Sequence, residues 1–337
     1  MKTWVVVAPR EEAEAVRRLL LDRGLLRRGV RASRTDREVV FPVVSTPDPP
    51  LAGTRAEERE LPMEPEAPQT YRDLLHLDPD LQAQLPRAFD VLGDVVLIHL
   101  PSVLQPHAPE IGAALLAFVP GARRVGWDQG VRGEARLRSL VPLAGTGSWR
   151  TRYRENGIEF VVDPEVAYFS PRLAGEHARV AAEVVPGETV WDLCCGIGPF
   201  ALTIARRGLR GRIVAIDSNP AAIGLLRENA ERLGVADRIE ARNEPIESFL
   251  RASGVAHRVV LNLPREGIKY LPSVSAAVAP GGTVHYYEVT PRADHPVRGN
   301  AILKQLDAAA EWTCLDSRRV HPYSPQSDLV AYTIRRS

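Results

Sequence analysis

The segment Val190-Trp191-Asp192-Leu193-Cys194-Cys195-Gly196-Ile197-Gly198-Pro199-Phe200 constrains the fold more than any other part of the chain. An apolar run ends in an acid, passes through Gly-x-Gly and gives way to a proline that opens an amphipathic stretch. Glycines at such a turn let the backbone approach a ligand with no Cβ in the way. Pro199 suits the first turn of a helix, where a missing N–H costs nothing. Asp217 closes the next apolar run, at about the 20-residue spacing expected of an acid that binds ribose hydroxyls. The pattern predicts a strand, turn and helix at the mouth of a parallel sheet. Asp192, Cys194, Gly196, Gly198, Asp217 and Ser218 are then candidate contacts to a nucleotide-like cofactor.

From about Asp163 onward the chain alternates strand and helix patterns. Strands are expected at Val190–Leu193, Ile213–Ile216, Ile239–Ala241, Val259–Leu261 and Thr283–Glu288, with a closing pair near Ser317–His321 and Leu329–Ile334. Gly196-Ile197-Gly198-Pro199-Phe200-Ala201 also satisfies the dinucleotide G-x-G-x-x-A pattern, so the turn alone leaves a nicotinamide or flavin enzyme open. Its position argues otherwise. The turn lies past the middle of the chain, Asp192 ends its strand, and a hairpin-like pair closes the sequence. These features favour the core of an S-adenosylmethionine (SAM) methyltransferase.

Residues 1–45 read as a small α/β unit, with a strand at Val5–Ala8, helical periodicity from Glu11 to Leu21 and a second strand at Val39–Val44. Residues 46–70 are rich in proline and glutamate and read as a linker. A middle α+β domain follows over 71–160. It has a buried strand at Val95–Leu100, a helix at Ile111–Phe118 and alternation from Val131 to Leu143 that puts Arg132, Glu134, Arg136 and Arg138 on one strand face. Residues 161–337 form the Rossmann-like α/β core.

The formal net charge of +1 gives no global attraction to nucleic acid, so any polyanion site must be local. Nearly all positive charge is arginine, since the only lysines are Lys2, Lys269 and Lys304. Candidate patches are Arg17, Arg18, Arg23, Arg27, Arg28 and Arg31; Arg123 and Arg124; and Arg150, Arg152 and Arg154. Three cysteines, two of them adjacent, make no disulfide framework and imply a reducing compartment. No metal-ligand spacing and no membrane-length apolar run is present. A cytoplasmic protein is expected, with no obligate protein partner and a monomeric state.

Beyond the glycine turn, the chain carries Pro86-Arg87-Ala88-Phe89-Asp90-Val91-Leu92-Gly93-Asp94, Val131-Arg132-Gly133-Glu134-Ala135-Arg136, Glu155-Asn156-Gly157 and Tyr168-Phe169-Ser170-Pro171-Arg172-Leu173-Ala174-Gly175-Glu176. Asn262-Leu263-Pro264, His285-Tyr286-Tyr287 and Arg319-Val320-His321-Pro322-Tyr323-Ser324-Pro325 follow. Over nearly its whole length it resembles the archaeal and eukaryotic tRNA (guanine 37-N1) methyltransferases and their wyosine-pathway relatives. The resemblance implies a small tRNA-reading domain, a middle domain and a class I methyltransferase core. It implies Glu176 as general base, Arg136 against the guanine O6, Asn262 and Pro264 as walls of the base pocket, and Tyr168 and Asp217 as cofactor contacts. Arg172 would meet tRNA phosphate or backbone carbonyls. The chain departs from the family in two places. His177 stands where an arginine meets the methionine carboxylate. Arg242-Asn243-Glu244-Pro245 replaces a Gly-Asp that holds the adenine amine, leaving the choice between Asn243 and Glu244 open.

The implied chemistry suits these residue types. Guanine N1 carries a proton in the neutral base, and a carboxylate within hydrogen-bond reach can take it. Charge then grows on O6, where a permanently charged guanidinium helps most. The alternatives are a wyosine-pathway enzyme of the same fold, transferring the 3-amino-3-carboxypropyl group or methylating a tricyclic guanine, and a non-catalytic RNA-binding relative.

Overall fold

Alternating apolar residues explain how the second half of the chain folds. In the computed structural model, which describes residues 2–27, 29–62, 68–133, 137–208 and 211–337, successive strand residues enter opposite layers. Val190, Ile213 and Ala215 pack on one face of a sheet, while Trp191, Leu193, Val214 and Ile216 pack on the other. The chain divides into two compact units, Met1–Asp73 and Leu74–Ser337.

The first unit contains β1 (Lys2–Pro9), α1 (Ala13–Asp22), β2 (Ser33–Arg34), β3 (Glu38–Val43) and β4 (Arg55–Glu60). Its sheet runs β2-β3-β1-β4, and α1 presses Val16 and Leu20 onto Val6, Ala8 and Phe41. The expected linker over 46–70 needs correction. Leu51 is buried in this core, and β4 pairs antiparallel with β1 from Lys2↔Glu60 to Val7↔Arg55. An Arg-Ala-Glu-Glu-Arg-Glu strand buries no face and lacks the apolar alternation that marks a strand. It is an edge held by backbone pairing, with Arg55 reaching Glu38 at 2.6 Å.

The second unit opens with α2 (Pro79–Gln84), β5 (Asp90–Leu92), β6 (Val95–Ile98), α3 (Ala108–Phe118), β7 (Arg124–Arg132) and β8 (Leu137–Gly145), whose strands form a sheet ordered β5-β6-β7-β8. The alternation from Val131 to Leu143 is therefore not one strand. β7 ends at Arg132 and β8 starts at Leu137 directly opposite it, after Gly133 turns at φ +66°. Arg132 and Arg138 sit on different strands. The hairpin β9 (Thr151–Glu155) and β10 (Ile158–Val162) turns on Asn156-Gly157, both at positive φ, the conformation a two-residue hairpin favours. It belongs with the core, not with the middle domain. The backbone N–H of Val161 donates to Asn229 Oδ1, and Asn229 Nδ2 donates back to the Val161 carbonyl.

The core then alternates α4 (Ala174–Glu183), β11 (Thr189–Leu193), α5 (Pro199–Arg206), β12 (Arg212–Asp217), α6 (Pro220–Arg232), β13 (Ile239–Asn243), α7 (Ile246–Ala252), β14 (Ala256–Leu261), α8 (Leu271–Ala276), β15 (Val278–Pro291), α9 (His295–Leu303), β16 (Trp312–Pro322) and β17 (Ser327–Arg336). The sheet order is β13-β12-β11-β14-β15-β17-β16. Strands β11 to β15 are parallel, and β17 runs antiparallel between β15 and β16. A dinucleotide-binding sheet ends 4-5-6 without that reversed strand, so the topology removes the nicotinamide reading. Strand order switches direction at β11. The carboxyl ends of β11, β12 and β14 therefore open a crevice where ligands of such sheets bind. No described helix is long and apolar enough to cross a membrane.

Candidate functional site

A cleft opens at that switch point. It is lined by Tyr168, His177, Cys194, Gly196, Asp217, Ser218, Asn262, Leu263 and Pro264, with His321 and Tyr323 beyond them. Of the residues expected at the site, these include Tyr168, His177, Cys194, Gly196, Asp217, Ser218, Asn262 and Pro264.

The glycine turn is built to be close. Gly198 caps α5 at φ +78°, and a Cβ there would stand 2.2 Å from the Leu226 side chain. A Cβ on Gly196 would approach the Tyr168 carbonyl at 3.3 Å, so the wall stays backbone-thin. Asp217 anchors the turn by accepting from the N–H groups of Gly196 (2.8 Å) and Asn219 (2.9 Å). Burial raises its pKa, against the lowering effect of those two amides. Each carboxylate oxygen keeps lone-pair capacity for a hydroxyl. Cys194 and Cys195 are not nucleophiles: burial pushes Cys194 up to about 12 and Cys195 well above its usual value.

Other expected contacts stand outside the cleft. Asp192 is fully buried under the turn, where one oxygen accepts from the Ala201 N–H at 3.1 Å. Burial pushes its pKa up to about 7, opposed by that amide and aided by the nearby Asp217 charge. Asp192 and Gly198 support the turn from behind, and neither lines the cleft. Asn243 donates to the Asp217 carbonyl at 2.9 Å, and Glu244 lies 3.5 Å from Arg242. Neither lines the cleft, because β13 ends one strand outward of Asp217. Arg172 is held by Asp90 at 2.8 Å, and Asp90 also meets Arg138. Arg136 lies outside the described residues.

His177 and Glu176 are neighbours on α4 with different surroundings. His177 Nδ1 sits 2.6 Å from Glu155 Oε1, both side chains being buried. A carboxylate only accepts, so the ring donates through Nδ1. Its Nε2 has no partner among the described residues. Glu176 is not among the residues that line the cleft. Its carboxylate accepts from Tyr287 Oη at 2.8 Å, from Arg318 and from Arg179. Burial raises its pKa, but hydrogen bonds from Arg318 and Tyr287 and the charges of Arg179 and Arg318 outweigh it, and the net shift is downward. A carboxylate so held is ionised but engaged by its neighbours.

The arginine patches are also largely spent. Arg123 binds Asp94 and the carbonyls of Thr146, Ser148 and Arg150. Arg124 stacks on Trp149 at 3.7 Å, Arg150 pairs with Glu228, and Arg17 pairs with Glu14. Arg28 lies outside the described residues.

Known proteins share both the sequence and the fold. Residues 151–314 match the TRM5/TYW2 methyltransferase domain, 71–148 the TYW2 N-terminal domain and 8–51 the tRNA methyltransferase 5 N-terminal domain. A tRNA (guanine(37)-N(1))-methyltransferase Trm5b of Pyrococcus abyssi is 31% identical over 341 residues, covering 99% of each chain. The chain belongs to the TRM5/TYW2 methyltransferase family. The crystal structure of that Pyrococcus Trm5b superposes with a TM-score of 0.80 at 30% identity, covering 99% of both chains. A complex of aTrm5 with tRNALeu superposes at 0.78 with 26% identity, covering 98% of this chain and 99% of that one.

As a TRM5/TYW2 methyltransferase the protein uses SAM, and the site suits that cofactor. A thin glycine wall, an acid with lone pairs to spare and the unpartnered His177 Nε2 leave room for an adenosine with an amino-acid tail. Sequence reasoning missed Glu155, Asn219, Arg318, His321 and Tyr323 as shapers of this TRM5/TYW2 site. Glu155-Asn156-Gly157 and Arg319–Pro325 were conspicuous as motifs, but neither pattern says which wall it builds.

Proposed function

We propose that this protein is a cytoplasmic, monomeric enzyme that methylates N1 of guanine 37 in tRNA. The observation that carries this reading is the pairing of two ends in one cleft. The glycine turn and Asp217 form one end; Asn262 and Pro264 form the other, and the buried Asn262 Oδ1 has no partner among the described residues. An unpaired buried acceptor is costly, and the N–H edge of a guanine would satisfy it.

SAM, when bound, supplies the electrophilic methyl group. The chain's own work is to fix the base edge, accept the N1 proton and offset charge on O6. Asn262 and Pro264 orient the base. Arg136 faces O6, a role that rests on the sequence motif. Glu176 takes the proton in a conformation in which Arg318 has released it. His177, steadied by Glu155, meets the amino-acid tail of the donor. The unit Met1–Asp73 grips the tRNA away from the target base.

Mass spectrometry of tRNA nucleosides after incubation with labelled SAM tests the reading. It expects 1-methylguanosine at position 37 together with S-adenosylhomocysteine. Methylthioadenosine with an aminocarboxypropylated base would move the protein to the wyosine-pathway chemistry. Absence of any tRNA-dependent turnover would leave only an RNA-binding relative.

A further inference from the structure

The motif Arg319–Pro325 forms the connection between β16 and β17. Strand β16 runs parallel to β14, so its end at Pro322 reaches the same carboxyl edge as the cleft. In the sheet order this connection lies on the Pro264 side of the switch point, away from Asp217. His321, Tyr323 and Leu329 accordingly line the cleft at its base end, next to Asn262, Leu263 and Pro264.

The turn is built to hold one shape. The Tyr323 and Ser324 N–H groups both donate to the Ser327 carbonyl at 2.9 Å, and Ser324 Oγ accepts from the Ser327 N–H at 3.0 Å. Tyr323 is 37% exposed, one of few large apolar side chains left open on the core. Its hydroxyl accepts from Arg265 Nε at 3.1 Å, and the Arg265 guanidinium carbon lies 5.4 Å from the ring centroid. Arg265 directly follows Pro264, so the ring is tied to the segment that shapes the base end. An aromatic ring held open beside a guanidinium, at the mouth of a cleft, has the chemistry that receives an unstacked nucleobase.

We infer that Tyr323 stacks on the target nucleobase and, with Pro264, forms the wall that receives it. The hydroxyl fixes the ring through Arg265; the ring face does the binding. This deepens the reading of the cleft as a base pocket and rests on it. His321 Nδ1 donates to the Pro322 carbonyl at 2.9 Å, which leaves Nε2 as an acceptor beside that wall.

The test is a binding cycle between Tyr323 and the base. Parent, Tyr323→Ala and Tyr323→Phe proteins are titrated with tRNA carrying guanine at 37 and with tRNAs abasic at 36, 37 or 38. The alanine variant should bind guanine-37 tRNA about tenfold more weakly, the loss of one base–aromatic stack. It should bind tRNA abasic at 37 as the parent does, and the phenylalanine variant should match the parent throughout. S-adenosylhomocysteine affinity should stay constant across all three proteins. Equal losses on intact and 37-abasic tRNA, a phenylalanine variant as weak as alanine, coupling to position 36 or 38 instead, or loss of S-adenosylhomocysteine binding would each overturn the inference. The labelled-SAM assay on the parent reads the chemistry separately, so a failure there with coupling at 37 intact would remove the methylation and keep the stacking.

Discussion

Arg318 holds Glu176 with two nitrogens at once: Nε lies 2.9 Å from Oε1 and a terminal guanidinium nitrogen 2.5 Å from Oε2. Tyr287 and Arg179 complete the enclosure. The carboxylate is thereby ionised at neutral pH, at the expense of basicity. If Glu176 takes the N1 proton, the acid limb of the kcat/KM–pH profile reports its pKa in the free enzyme, where Arg318 holds it. Replacing Arg318 by Met keeps the bulk and removes the charge. Glu176's pKa, now depressed, should rise, and the limb should move to higher pH. Glu176→Gln should lose the limb and on the order of 10²-fold or more in turnover, while SAM binding persists. A limb that stays in place in Arg318→Met would remove Glu176 from proton transfer.

The buried His177–Glu155 pair makes a prediction about ligand tails. S-adenosylhomocysteine carries the amino-acid tail, and methylthioadenosine does not. His177→Gln should weaken the former by tenfold or more, the loss of a hydrogen bond to a charged group, and leave the latter nearly unchanged. Calorimetric titration of both ligands reads this directly. Equal losses for the two would make His177 a packing residue of α4, where its ring meets Phe200 edge-on at 4.6 Å.

Asp192 links stability to pH in an unusual direction for an acid. Its folded pKa, raised to about 7 by burial, lies above the unfolded value near 4. Between those values the native state holds the proton that the unfolded chain has released. Stability from this group is therefore present below about pH 4 and is lost as pH rises towards 7. Asp192→Asn keeps the shape without the charge. Relative to the parent, it should gain stability from pH 5 to pH 8, by about 3 kcal/mol as an upper bound, since two of the three pKa units lie above pH 5. Urea unfolding of the ligand-free proteins at both pH values measures it, and parallel pH dependences for the two would contradict the assignment.

What could be read from the chain divides along physical lines. The core strands from Val190 to Ile334 announced themselves because both faces of the sheet are covered, so apolar runs mark them. The turn at Gly196–Gly198 was equally legible, since backbone closeness there leaves only glycine. Strand β4 was hidden because an edge with no buried face carries no apolar signal. The hairpin at Gly133 was hidden because alternation continues through it. The state of Glu176 was out of reach for a different reason. Its main partner, Arg318, is 142 residues away, and only the fold brings the two together. The motif named the residue but not what would be holding it.

The first unit gives the last prediction, and the position of β4 decides where to cut. Removing residues 1–45 deletes β1, to which every β4 residue from Arg55 to Glu60 is paired. That cut leaves an orphaned strand and exposes Leu51. Such a fragment should aggregate, since an unpaired edge is a template for other chains. Removing 1–73 takes away the whole compact unit and leaves Leu74–Ser337 with its own core. This second fragment should stay monomeric by sedimentation and bind S-adenosylhomocysteine like the full chain, while its affinity for tRNA falls. Full tRNA affinity in a well-folded 74–337 fragment would show that the first unit does not grip the RNA.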